Sequence, residues 1–226
     1  MKDSKPIIAI DGPAGSGKST VAKRVAKKLG LFYIDTGAMY RALALKAKRA
    51  HVDPHDSAPI IKLADTLDVN LDYNPTTGKL KVMLDGQDVS EEIRKPFITE
   101  HISTIAKIKE VRERMVILQR KLAEGKKAIL EGRDITTVVF PDACKKFFLD
   151  ATPQERVKRR FLELKEKNKD IDKVEVKKDI NQRDHIDSTR EYAPLKKAPD
   201  AIYIDTTHMT IDEVVETVIR EIKKCP

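Results

Sequence analysis

Residues 12–20 read "GPAGSGKST"; they follow the apolar run "PIIAID" (6–11) and open the helical pattern "KSTVAKRVAKKLG". Gly12, Gly17, Lys18 and Ser19 satisfy G-x-x-x-x-G-K-[ST], and a strand before and a helix after are the context that gives this spacing its meaning. Glycines let successive backbone N–H groups turn inward around phosphate oxygens, and the helix start adds the positive end of its dipole. The stretch Gly12, Pro13, Ala14, Gly15, Ser16, Gly17, Lys18, Ser19 and Thr20 is therefore expected to bind the phosphates of ATP or GTP. Lys18 would reach the β- and γ-phosphates, and the Ser19 hydroxyl would ligate Mg2+. The loop names one substrate and leaves open where the phosphate goes.

Outward from it, four further short apolar runs look like buried parallel strands: "LFYID" (31–35), "KAILEG" (127–132), "KFFLD" (146–150) and "AIYID" (201–205). Helical patterns lie between them. Val21, Val25 and Leu29 fall four apart on one face, with Gly30 to close that helix, and Thr210 stands three residues before Glu213 as a cap for the last one. Strand alternating with helix predicts an α/β fold, a five-stranded parallel sheet flanked by helices.

The rhythm breaks between. "VNLDYNPTTGKLKVMLDG" (69–86) reads as a hairpin, and "STIAKIKEVRERMVILQRKLAEG" (103–125) as a long helical segment. Residues 60–100 are thus expected to form an inserted α+β lobe, with 1–59 and 101–226 as the core. The highly charged stretch 155–185 fits either a pair of solvated helices or a lid over an anionic substrate, placed at about 153–185.

At 226 residues the chain supports one sizeable core. No run approaches the ~20 apolar residues that cross a bilayer, and the N-terminus has no signal-peptide core. Cys144 and Cys225 fit no metal spacing and are expected as free thiols in a reducing cytoplasm. The net charge of +8 is uneven, with 11 Lys/Arg against 3 acids in residues 1–50 and 5 against 10 in residues 51–100. Basic patches suit nucleic acid or a polyanionic small substrate alike. The basic runs carry no interleaved aromatics and Trp is absent, which weighs against nucleic acid.

A guanine-reading N-K-x-D is not met, since "NKDI" (168–171) departs at its last position; a motor ATPase would need a longer chain. Small-molecule kinases remain. Arginines paired with acids gather near strand ends, where open α/β sheets bind ligands. "DTGAMYR" (35–41) supplies Asp35, Tyr40 and Arg41, and "EGRD" (131–134) supplies Arg133 and Asp134. In "QRDHIDSTR" (182–190), Arg183, Asp187 and Arg190 share one helix face. Phosphoryl transfer needs such positive charge around both anions, and a lid bearing Arg156, Arg159 and Arg160 would keep water out.

On these blocks, together with "EVRERMVILQRKLA", "GRDITTVVFPDA" and "RDHIDSTREYAPLKKAPDAIYIDT", the chain resembles the bacterial-type cytidylate kinases over most of its length. The resemblance implies phosphorylation of CMP and dCMP by ATP with Mg2+, a parallel core with a lid and an enlarged monophosphate-binding lobe, and a monomer. It implies Arg41, Arg133 and Arg190 on the acceptor's phosphate, Ser103, Arg112 and Asp134 on cytosine, and Arg183 and Asp187 on the sugar. Tyr40 would line the pocket, and Arg159 would touch the transferred phosphate, with Arg156 and Arg160 as alternatives. The family often has Ser-Gly where this chain has Thr36-Gly37; the hydroxyl is kept, so the same role is expected. Rival readings are a kinase for another small acceptor, such as UMP or shikimate, and an ATP-regulated nucleic-acid-binding module.

Overall fold

The computed structural model describes residues 6–167 and 172–225; the first five residues and "NKDI" (168–171) lie outside them. Strand β1 (Ile7–Asp11) leads through the glycine loop into α1 (Lys18–Leu29), β2 (Phe32–Asp35) and α2 (Thr36–Arg49). After an inserted segment, β6 (Ala128–Gly132), β7 (Lys145–Asp150) and β8 (Ile202–Asp205) complete one sheet of order β2-β6-β1-β7-β8. Every pairing in it is parallel, as the apolar runs predict. β1 and β6 are buried almost throughout because helices cover both faces. Each of Ile8, Ile10, Ile129 and Leu130, sealed at 1% exposure or less, contributes about 1.5–3 kcal/mol relative to an exposed side chain.

The chain leaves β1 toward β2 on one side and reaches β7 on the other. The crevice at the carboxyl end of β1 is therefore the switch point where such sheets bind ligands. Acids end four of the five strands there, Asp11, Asp35, Asp150 and Asp205, and Glu131 is next to last in β6. Gly30 ends α1 in the left-handed conformation (φ 65°), and a full capping box links Thr210 and Glu213 at the start of α8 (Ile211–Ile222), both as expected.

The insertion contains α3 (Ser57–Asp65) and an antiparallel sheet of β3 (Val69–Asn74), β4 (Lys79–Leu84) and β5 (Gln87–Asp88). Val69, Leu71 and Tyr73 are buried while their neighbours are exposed, the period-2 signature of a half-buried strand. Tyr73 meets Tyr33 edge to face at 5.6 Å, seating this sheet against β2. A 3₁₀ turn (Glu92–Arg94) leads into α4 (Pro96–Ala106) and α5 (Lys109–Ala123). The single long helix expected over 103–125 is thus two helices. Ile108 caps α5 in an extended conformation (ψ 120°), and the buried Arg112 donates back to Ala106 O at 3.0 Å, which holds the bend.

α6 (Pro153–Lys167) and α7 (Lys173–Thr189) pack on each other as a helical pair over the loop. The two cysteines correct the sequence reading: Cys144 and Cys225 form a disulfide. Packing of α8 beneath the sheet brings residue 225 back to the start of β7, a proximity that a separation of 81 residues hides. Among the described residues no helix is long and apolar enough to cross a membrane.

Candidate active site

The glycine loop wraps the carboxyl end of β1. At Gly12 an added Cβ would stand 2.0 Å from Leu149 O, so no side chain fits where the loop crosses β7. Gly17 caps α1 with φ 91°, a left-handed turn that aims the first helical N–H groups into the cradle. Lys18 is buried, and its Nζ donates to Pro13 O at 2.9 Å. Burial, and then the Arg133 charge, push its ammonium down to about 7 despite nearby Glu131, Asp187 and Asp11. An anion in the cradle would reverse that shift. Ser19 Oγ donates to Glu131 Oε1 at 2.7 Å. Hydroxyl and carboxylate together are hard oxygen ligands of the kind Mg2+ takes, and Thr20 follows on the exposed first turn of α1.

Arg133 and Asp187, whose charges act on Lys18, belong to a set of buried and part-buried ion pairs. Arg112 and Asp134 meet at 2.5 Å with side chains only 2% and 7% exposed, Arg133 meets Asp187 at 2.8 Å, and Arg190 reaches the other oxygen of Asp187 at 3.2 Å. Arg41 pairs with Asp35 at 2.9 Å, and Asp35 also caps α2 by accepting from Ala38 N. Burial works against ionisation of Asp35 and Asp187, yet the guanidiniums beside them hold both carboxyls below their usual range. Tyr40 lies 5.5 Å beneath the Arg112 guanidinium, and burial pushes its hydroxyl up to about 12. Ser103 is buried on α4. Burial, then Arg133, push Arg183 down, with Arg160 adding to that repulsion. Among the described residues, three of these arginines retain buried N–H groups with no acceptor: Arg41 Nε, Arg112 Nε and one terminal nitrogen of Arg190. Buried donors left open on cations ask for an anionic or carbonyl-bearing ligand.

The sequence model of the cytidylate kinase family matches residues 8–224. The chain belongs to the cytidylate kinase family. A cytidylate kinase of Caldanaerobacter subterraneus is 52% identical over 96% of this chain and 94% of its own length. One from Clostridioides difficile is 50% identical over 96% and 97%. An uncharacterised protein from Eubacterium ventriosum, solved by crystallography, shares the fold at a TM-score of 0.53 and 14% identity, covering 97% of this chain and 99% of its own.

Within or next to the stretches that carry the cytidylate kinase resemblance, three acids do work that the sequence reading missed. Glu131, read only as part of "EGRD", joins Ser19 Oγ to the Tyr33 hydroxyl; its signal was an acid closing an apolar strand. Asp11 accepts from Ile135 N, Thr136 N and Thr136 Oγ1 at 3.0, 2.8 and 2.6 Å. It thereby fixes the π-helical turn Ile135–Val139 that directly follows Asp134. Asp184 accepts from Ala14 N at 3.2 Å. Thr36, where the family often has serine, donates its hydroxyl to Glu131 O at 2.7 Å. Arg159 donates to Thr206 Oγ1 and Thr206 O and to Glu155. Its guanidinium lies between the loop after β8 and the glycine loop, 3.9 Å from where a Cβ on Gly17 would stand, while Arg160 on the same helix is the arginine whose charge bears on Arg183.

Proposed function

We propose that this protein transfers the γ-phosphate of ATP to CMP and dCMP, giving ADP and the corresponding diphosphate. The observation that carries the choice of acceptor is the buried Arg112–Asp134 pair, whose charges act on Tyr40 and Arg190, while Arg133 acts in turn on Lys18 of the glycine loop. A carboxylate accepts from the exocyclic amino group that cytosine has and uracil lacks. Uracil would present a carbonyl oxygen to Asp134, leaving two buried acceptors face to face, and a site built on such a bond rejects the wrong partner strongly. Arg112 donates to ring acceptors that both pyrimidines partly share.

The rest of the constellation fits the same reading. Arg41, Arg133 and Arg190 hold the acceptor's phosphate against repulsion from the donor, and Asp187 with Arg183 reaches the sugar. Lys18, Arg133 and Arg190 face the charge that develops on the equatorial oxygens, and Arg159 closes behind the donor loop at Thr206. Ser19 and Glu131 would hold Mg2+, which neutralises charge on the β- and γ-phosphates when bound. An acceptor phosphate oxygen is already ionised near neutral pH, so no side chain has to remove a proton. The lid of α6 and α7 excludes water, the competing acceptor. Residues 60–100 form the monophosphate-binding lobe, and the protein acts as a cytoplasmic monomer. ADP release measured with ATP, Mg2+ and each of CMP, dCMP, UMP, AMP and GMP tests reaction class and base choice together. Equal rates with CMP and UMP would remove the role given to Asp134.

A further inference from the structure

Ala14, third residue of the glycine loop, is gripped by both lid helices. Its N–H donates to Asp184 on α7, and its carbonyl accepts from Arg156 of α6 at 3.0 Å. Asp184 and Arg156 are themselves ion-paired. Arg156 is further tied to Ala151 O at 3.1 Å. The Ala14 methyl group packs with Val157, Val176 and Ile180 in a small cluster separate from the main core. The backbone of α6 presses so close that a Cβ on Gly15 would lie 2.8 Å from Arg156 O. Loop and lid therefore behave as one packed unit around Ala14.

Asp184 sits between Arg183 and Asp187 on α7, and Arg190 follows at the end of the same helix. One rigid helix thus holds the donor loop at one residue and the acceptor-side carboxylate three residues later. We propose that Asp184 is a positioning residue that, through Arg156 and Ala14, couples occupancy of the donor loop to the geometry of the acceptor arginines. The inference rests on the kinase reading above and goes beyond it by assigning the coupling between the two substrates to one carboxylate that touches neither. Coupling of this kind is a difference in affinity and is reciprocal between sites. It needs an element whose state both ligands bias, and α7, tied to Ala14 of the loop at Asp184 and to Arg133 at Asp187, is in contact with both sides.

Titration calorimetry of CMP, alone and with saturating Mg2+ and an imido-linked ATP analogue, tests this in the wild type, Asp184→Asn, Asp184→Glu and Lys178→Ala. Lys178 is exposed on the same helix and serves as the control. In the wild type and in Lys178→Ala the analogue is expected to tighten CMP by about five- to tenfold. Asp184→Asn should reduce that factor to below about twofold while CMP alone binds within about twofold of wild type, and Asp184→Glu, which keeps the charge, should recover part of it. Thermal unfolding run alongside separates a merely structural role, which would lower Tm and leave the coupling intact. An unchanged coupling factor in Asp184→Asn, or in Asp184→Glu should the amide variant not fold, overturns the inference; so does a wild type without coupling. The ADP-release assay reports on the kinase reading separately: a wild type inactive on CMP fails that reading and this inference with it, whereas an active enzyme with coupling unaltered at position 184 fails this inference alone.

Discussion

Asp134 offers a perturbation whose two consequences separate. Its carboxylate faces Arg112 at 2.5 Å, and both side chains are almost fully buried. Removing one member of a buried pair costs about 3–5 kcal/mol, chiefly because the other charge is stranded. Arg112 would keep its bond to Ala106 O and its place over Tyr40, so the lower end applies to Asp134→Ala. At about 2–4 °C per kcal/mol for a chain of this size, a loss of about 3 kcal/mol lowers Tm by about 6–12 °C. Asp134→Asn keeps the shape and loses the charge, so its thermal cost is smaller. Its amide presents an acceptor to cytosine or a donor to uracil, which lifts the penalty of about 1–3 kcal/mol that opposes UMP. The ratio of kcat/KM for CMP over UMP should then fall by about 10- to 100-fold. Coupled ADP-release rates over a range of both acceptors give the ratio, and thermal scans of the same preparations give Tm. A lowered Tm with an unaltered CMP/UMP ratio in both variants would refute base reading by Asp134 and leave it a structural partner of Arg112.

Lys18→Ala should cut kcat by about 10²–10³ or more, since it removes a charge aimed at the developing oxyanions. In the free protein Lys18 titrates at about 7, so donor phosphates that raise its pKa draw in a proton; ATP affinity measured by calorimetry should weaken as pH rises above 7, by up to about tenfold per pH unit. Burial lifts Asp11 from 3.8 to about 6. The native state therefore holds more protons than the unfolded one between those values, and the Asp11 contribution to stability falls as pH rises from 3.8 to about 6. Denaturant midpoints across pH 4–7 should show this slope lessened in Asp11→Asn, by at most about 1.4 kcal/mol per pH unit. Reduction of Cys144–Cys225, which spans 81 residues, should cost about 2–4 kcal/mol and lower Tm by about 4–16 °C, and Cys225→Ser should show the same loss with no response to thiol.

The short apolar runs and the helical spacing between them were enough to read the parallel core, because strands buried on both faces and helices buried on one leave different local periods. The hairpin was legible for the same reason. The break between α4 and α5 was not. Residues 103–125 keep a helical period through Lys107, and the buried Arg112 reaching back to Ala106 O helps to hold the bend. The disulfide was hidden by distance along the chain.

In the site, the local order of residues by itself determined the glycine cradle, because one loop and the helix after it contain all its parts. It also supplied the arginines and their neighbouring acids, since the motif blocks place them at strand and helix ends. Which acid meets which arginine was decided only by the tertiary structure: Asp134 pairs with Arg112 from α5, and Asp187 on α7 with Arg133 just past the end of β6. Glu131, Asp11 and Asp184 acquire their roles in the same way, from partners more than 100 residues away. A carboxylate's work is set by the donors and charges within a few ångströms of it, and sheet order, not sequence spacing, chooses those neighbours.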